Sequence, residues 1–360
     1  MRSASKSIPF ILFVCSALIL PVLSLDASQT IFSTGEIVYY QPMSHELGVY
    51  YVWNPSTASM PYEAEWAFVG TPNAQPNKPD LRMILSWLES TQPGRHHTTP
   101  ISTAEQLNIH ENNLKTVPTE NFWGIYAVHA EFVKQHIAFN EDLNTTWFGE
   151  TLLGYQLYLQ ENPSATQDQW KDEMYLRMLR GFYDYFHARG VKVGYTMGAY
   201  VSIKISNIQS YLGWPAFNYM RENFDFMELY AYTHNLGPAD GRSWNGEAED
   251  WPEGGVNNYF SVIDQYFSSQ QLFWCLTRRW NDEATWEWEA MALEIKNALD
   301  REMVICPYYS NDPPLSEQWP VILNALDLYD QNAQYYEEYV YGENLLTGYA
   351  GETYGWVEIS

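Results

Sequence analysis

The sequence predicts a (β/α)8 TIM barrel with an appended C-terminal β-hairpin over 340–359. Two observations carry that expectation. From Leu152 onward, strand-like and helix-like segments alternate strictly, which implies a parallel sheet with right-handed crossovers. Eight strand candidates fit in the 360 residues, a length that suits eight strand–helix units. An open doubly wound sheet is the alternative, but no Gly-rich phosphate fingerprint follows any strand candidate.

The N-terminal segment reads separately from the fold. Arg2 and Lys6 precede an apolar run from Ile8 to about Leu25, the order of a secretory signal peptide. Residues 1–27 are therefore expected to be a signal, and 28–360 a single barrel domain. Pro9 and Pro21 count against a membrane-spanning helix, although an uncleaved anchor stays open. No second apolar stretch is long enough to cross a bilayer. The expected location is extracellular or cell-surface, with no stable membrane insertion after cleavage.

The elements follow in order. Leu47–Trp53 is the first strand candidate and Arg82–Leu88 the second. Between them lies the Pro-rich region 54–80, where the first helix should stand. Thr103–Lys115 reads as a helix, Phe122–Val128 as the third strand and Leu152–Leu159 as the fourth. Thr166-Gln167-Asp168-Gln169 resembles a capping box. Trp170, Met174, Met178, Phe182 and Phe186 then recur at i+4 on one helical face. Gly190 ends that helix, and Val191–Met197 is the fifth strand. The rhythm continues with helix Ile208–Asn223, strand Phe226–Tyr232, helix Val256–Phe267 and strand Gln271–Thr277. Helix Thr285–Leu299, strand Met303–Tyr309 and helix Ser316–Tyr336 complete it.

Composition narrows the partners. Acidic residues number 44 against 19 basic ones, a formal charge of -25. Removing 1–27 takes away Arg2, Lys6 and Asp26, so the chain stays strongly acidic. Phosphate binding needs clustered Lys and Arg, so nucleic acid is excluded as an expected partner, and anionic membranes are disfavoured. Aromatics make up 16% of the chain, too many for a disordered acidic polymer. Cys15 lies in the signal, and Cys275 and Cys306 sit in apolar strand-like runs. Buried free thiols are expected there, with one bridge between neighbouring strands as the alternative. Asn144-Thr145-Thr146 is an acceptable glycosylation sequon.

Barrel chemistry sits at the carboxyl ends of the strands and in the loops that follow. Glu161 falls at the end of the expected fourth strand, and Gln156 and Tyr158 share one strand face. On the sixth strand, Phe226, Glu228, Tyr230 and Tyr232 share a face, opposite Met227, Leu229 and Ala231. The apolar face should pack on helices, so Glu228 should point into the barrel. Arg278 is its plausible partner, which leaves an ion pair or a catalytic group. His129 and Glu131 follow the third strand, Tyr195 lies near the end of the fifth, and Tyr308 and Asn311 follow the eighth. Arg278, Trp280 and Glu283 follow the seventh, and the long loop 235–258 adds Trp244 and Trp251. Aromatic rings stack on sugar rings, amides and carboxylates bond to hydroxyls, and paired carboxylates cleave glycosidic bonds. Gln156, Tyr158, His129, Glu131, Tyr195, Tyr230, Tyr232, Trp244, Trp251, Arg278, Trp280, Tyr308 and Asn311 are expected to bind carbohydrate. No His-Glu-x-x-His or Gly-x-Ser-x-Gly occurs, and neither a metal nor a cofactor is expected.

The run Leu153-Gly154-Tyr155-Gln156-Leu157-Tyr158-Leu159-Gln160-Glu161-Asn162-Pro163 resembles a strand of glycoside-hydrolase-like TIM barrels. The resemblance implies polysaccharide cleavage with a catalytic Glu after the fourth strand. It implies Glu161 as general acid/base; Glu228, from the strand alternation, is the expected second carboxylate, with Glu283 as its rival. Two positions depart from the pattern: Gln160 stands where the family usually has Asp or Asn before the Glu, and Arg278 ends the seventh strand where many such enzymes keep a nucleophile. A non-catalytic carbohydrate-binding or cell-surface protein on the same scaffold is the alternative. A metal-dependent hydrolase using His129, Glu131 and His234 is the second.

Overall fold

The computed structural model describes residues 45–52, 60–75, 81–86, 103–127, 137–198, 212–232, 263–267, 270–277, 295–307 and 315–332. It adds 78, 80, 134, 208–210 and 309, and the backbone of 29–31 and 37–39. Residues 1–44 form one unit and 45–360 another. In the first, Gln29–Ile31 (β1) pairs antiparallel with Ile37–Tyr39 (β2). The expected signal over 1–27 and the hairpin over 340–359 lie outside the described residues.

The second unit begins with Gly48–Val52 (β3), Trp66–Val69 (β4), Arg82–Ser86 (β5) and Gly124–Ala127 (β6). Asn144–Trp147 (β7) and Glu150–Leu153 (β8) form a separate antiparallel hairpin. Lys192–Gly198 (β9), Phe226–Tyr232 (β10), Gln271–Thr277 (β11) and Val304–Pro307 (β12) follow. Eight of these strands form one parallel sheet in the order β3-β4-β5-β6-β9-β10-β11-β12. Its edges meet. Leu47 bridges Ile305 in parallel, and the Tyr309 N–H donates to the Tyr50 carbonyl at 2.7 Å. The fold is a (β/α)8 TIM barrel, as the alternation implies.

The helices show their sequence signals directly. Ala104–Lys115 (α1) starts from a Thr103–Gln106 capping box. Tyr155–Glu161 (α2) is short, and Gln167–His187 (α3) starts from the Thr166–Gln169 capping box. The face spelled by Trp170, Met174, Met178, Phe182 and Phe186 is buried. Gly190 follows α3 with φ +77, a conformation that suits glycine. Trp214–Asn223 (α4) and Leu315–Asn332 (α5) come later in the chain.

Two strand expectations are corrected, and the corrections cancel in the count. Trp66–Val69, inside the Pro-rich stretch, is the second barrel strand and wholly buried. Leu152–Leu159 is not a barrel strand. Its first two residues end β8, and Gly154 turns the chain into α2. A Cβ on Gly154 would overlap the Asn140 carbonyl, so only glycine fits this turn. Leu, Gln and Glu, good helix formers, then take the chain away from the sheet.

An aromatic plug fills the barrel from its amino-terminal side. Trp66 meets Trp123 and Phe273 edge-on, with ring centroids 4.6 and 4.9 Å away. Phe226 lies 5.6 Å from Phe273 and 5.3 Å from Trp123. Gly124 and Gly194, on the two strands before β10, leave the space that the Phe226 ring occupies. At the base, the Arg82 guanidinium stacks 3.7 Å from the Trp66 centroid and binds Glu46 and Glu65 at 2.8 and 2.6 Å.

Outside the barrel, the buried Lys134 ammonium binds Asp168 and Asp172 of α3 at 2.8 and 2.7 Å. The Gln209 amide donates to both carboxylates, tying residue 209 into the same knot. Hydrogen bonding to Lys134 holds the Asp168 carboxyl below its usual range. Lys134→Ala removes the buried cation and leaves Asp172 poorly compensated. It is expected to destabilise the fold by about 3 kcal/mol, read as a lower urea midpoint.

Candidate active site

The site is built on the inner face of the barrel, one layer past the plug. In β10, Phe226 belongs to the plug, and Glu228 follows two residues later on the same face. A strand advances about 3.3 Å per residue, so Glu228 stands roughly 6.5 Å nearer the carboxyl end. Met227 and Leu229, the alternate residues, are buried on the outer face, as the sequence pattern predicts. Glu228 is completely buried.

Its neighbours come from the flanking strands. Thr196 of β9 stands directly opposite Glu228 in register, and Cys275 of β11 approaches from the other side. Cys275 is in turn in register with Cys306 of β12. Both cysteines are buried free thiols, which answers the disulfide question left open above. Burial pushes the Cys275 thiol up, and Cys306 and Glu228 push it further. On β6, Tyr126 follows Gly124 by two residues and projects into the same layer beside Ser86. Burial raises the Tyr126 hydroxyl first, and the nearby Glu228 charge raises it further.

Both carboxyl oxygens of Glu228 are buried without a hydrogen-bond partner. Thr196 and Cys275 lie close enough to favour the carboxylate slightly, yet neither completes a hydrogen bond to it. Desolvation therefore dominates and pushes Glu228 up to about 7. The Thr196 and Tyr126 hydroxyls are also buried and unpartnered. Near neutral pH this carboxyl is poised between acid and base, the condition for general acid–base chemistry.

The other expected site residues are placed differently. Glu161 is exposed at the end of α2, which packs against α3 and has no place in the eight-stranded sheet. The expectation that it ends a barrel strand is corrected, because the chain leaves the hairpin at Gly154 as a helix. Gln156 is exposed and Tyr158 buried on that helix, so they do not share a strand face. Tyr195 is buried on the outer face of β9, where its hydroxyl meets that of Tyr175 on α3 at 2.8 Å. Strand alternation puts Tyr195 behind the sheet and Thr196 inside it. Tyr230 and Tyr232 lie on the β10 backbone, but their side chains fall outside the description. His129, Glu131, Trp244, Trp251, Arg278, Trp280, Glu283, Tyr308 and Asn311 lie outside the described residues.

Sequence reasoning missed Tyr126, Thr196 and Cys275. The signal for the first two was present: each follows by two residues a glycine that makes room for Phe226. Among the described residues, no group of three or more His, Cys, Asp or Glu is arranged to hold a metal ion. Also among them, no helix is long and apolar enough to cross a membrane.

No family model and no curated protein sequence matches the chain. Solved structures similar to it include the PgaB (BpsB) glycoside hydrolase domain from Bordetella bronchiseptica. That likeness has 10% identity and a TM-score of 0.43, and it covers 82% of this chain and 98% of that one. A GH18 chitinase from Pseudoalteromonas aurantia is similar at 7% identity and a TM-score of 0.42, over 78% of this chain and 99% of that one. The intracellular xylanase TsXylA from Thermoanaerobacterium saccharolyticum is similar at 9% identity and a TM-score of 0.38, over 75% and 88%. The fold rests on the strand order and closure described above, and no residue role is carried over from these structures.

Proposed function

We propose that this chain is an exported carbohydrate-active enzyme in which Glu228 acts as the general acid for cleavage of a glycosidic bond. The observation that carries the reading is the buried, unpartnered Glu228 carboxyl, one layer past the plug of a TIM barrel. A carboxyl near pKa 7 keeps its proton on a substantial fraction of molecules at neutral pH and can deliver it to a leaving oxygen. Export rests on the order of residues in 1–27.

Cleavage requires a second carboxylate, to attack the sugar or to activate water. Glu131 and Glu283 follow the barrel strands β6 and β11 in sequence and are the candidates. Glu161, exposed on α2, is the third. The test is a screen of the secreted protein against neutral and acidic polysaccharides, scoring both new reducing ends and binding. Glu131→Gln and Glu283→Gln should each be compared with Glu161→Gln. The expected outcome is that Glu161→Gln keeps activity within about twofold, as a surface change does, while one of the other two loses it. Loss of activity on Glu161→Gln alone would return the acid/base role to α2.

A second reading is a non-catalytic carbohydrate-binding protein on the same barrel. It is favoured by one observation: among the described residues, no second carboxylate stands beside Glu228. Binding in the screen without any new reducing ends would select it.

A further inference from the structure

The layer around Glu228 holds more unmet hydrogen-bonding capacity than one catalytic carboxyl explains. Tyr126 Oη, Thr196 Oγ1 and both Glu228 oxygens are buried without a completed hydrogen bond, although Ser86 and Tyr50 stand near Tyr126 and Cys275 and Thr196 near Glu228. They stand on three consecutive strands of the barrel, β6, β9 and β10. Register places Thr196 directly beside Glu228, and Tyr126 beside Gly194, which is two residues before Thr196. Gly194 adds no side chain there, and the Phe226 ring fills that space one layer below Glu228. Tyr126 and Glu228 are close enough for the charge of one to act on the other.

Buried polar atoms in native proteins are almost always paired, and each one left unpaired is costly. Four such atoms in one layer therefore point to a shared partner that is not part of the chain. Its chemistry follows from the lining. Two hydroxyls can each donate or accept, and the carboxyl can do either according to its protonation. The rings of Phe226 and Phe273 close the layer from beneath, where they pack against Trp123 and each other. The guest is therefore small at this point. A hydroxyl group, which donates once and accepts twice, can bond to one atom of each of the three side chains.

We propose that Tyr126, Thr196 and Glu228 form a recess for one hydroxyl group, and that Tyr126 and Thr196 are positioning residues that hold it against the Glu228 carboxyl. This rests on the reading of Glu228 as the working carboxyl, but not on turnover. The hydroxyl belongs either to water or to a bound sugar, and the experiment separates the two. The described titratable groups around the recess are Tyr126 from β6, with Tyr50 of β3 beside it, and Cys275 from β11, with Cys306 of β12 beside Cys275.

Difference infrared spectroscopy of the full chain against Glu228→Gln reads the Glu228 carboxyl as pH is varied. Tyr126 makes no direct hydrogen bond to Glu228, so Tyr126→Phe reaches it chiefly through the shared hydroxyl. Losing a relayed donor to the carboxylate raises its titration midpoint, and about 0.5–1 pH unit is expected. Thr196→Val should move the midpoint the same way, and Thr196→Ser should restore it. If the shift occurs without sugar, the hydroxyl is water's. If it occurs only with saturating cellobiose or N,N′-diacetylchitobiose, the hydroxyl is the sugar's. A midpoint unmoved by Tyr126→Phe under every condition overturns the recess.

Near-ultraviolet circular dichroism establishes that each variant is folded. Should Tyr126→Phe not fold, the wild type decides. A water O–H band in the Glu228 difference spectrum that moves in ¹⁸O-labelled water, or a midpoint that moves on adding disaccharide, supports the recess. Neither change overturns it. The titration needs no hydrolysis, so an inactive protein fails the functional reading while leaving this inference readable. An active protein with an unmoved midpoint fails this inference alone.

Discussion

Glu228→Gln is expected to lower glycosidic cleavage about 100- to 10,000-fold, with the fold intact. The amide keeps the shape of the side chain and removes its proton, so loss should fall on kcat more than on KM. The same substitution has a stability signature of calculable sign. Folding raises the Glu228 pKa from 4.5 to about 7. Below pH 4.5 the carboxyl is neutral in both states, and burial carries no ionic penalty. As pH rises through the window from 4.5 to 7, the unfolded chain ionises first and is favoured. Above pH 7 the penalty is complete, about 3 kcal/mol. The wild type should therefore lose stability between pH 4.5 and 8, and Glu228→Gln should lack that part of the slope. Urea melts at several pH values measure it. Equal slopes in the two proteins would mean that Glu228 is already ionised when folded.

The second large effect concerns the plug beneath the site. Gly194→Ala places a Cβ into the Phe226 ring, contacting it at three atoms of the same face. Neither partner has room, since Phe226 is packed between Trp123 and Phe273. Overpacking of this kind costs about 1–3 kcal/mol, and Phe226→Ala alone about 3–5 kcal/mol. The two changes share one space, so their costs should not add. Phe226→Leu with Gly194→Ala should be more stable than the sum of the single losses, because the smaller side chain frees the volume the methyl needs. Chemical denaturation of all four proteins forms the cycle. Strict additivity would show that Phe226 does not lie over Gly194.

The barrel itself was legible because its second half is regular. The strand at Phe226–Tyr232 and that at Gln271–Thr277 coincide with the observed β10 and β11 residue for residue. The capping box at Thr166 marks its helix directly, and the structure shows a second one at Thr103. The inward direction of Glu228 followed from alternation alone. What failed was the reading of short apolar runs, in which a strand and a helix differ little. Trp66–Val69 is four residues long among turn-formers, too short for periodicity to register. Tyr155–Glu161 alternates apolar and polar residues, yet its length also fits two helical turns. Because one strand was missed and one invented, the count of eight survived while the fourth strand was misplaced. The Glu161 assignment depended on that strand. Tyr126 and Thr196 carry only a positional signal, a glycine two residues before each, and that signal acquires meaning once Phe226 is seen to fill the space both glycines leave.

The central claim is that a sugar reaches Glu228 through the carboxyl end of the barrel. A crystal structure of Glu228→Gln with an oligosaccharide from the activity screen tests it most directly. The account predicts a glycosidic oxygen within about 2.6–3.2 Å of the amide at position 228. A sugar bound elsewhere on the molecule, with position 228 sealed from it by protein, would contradict the account.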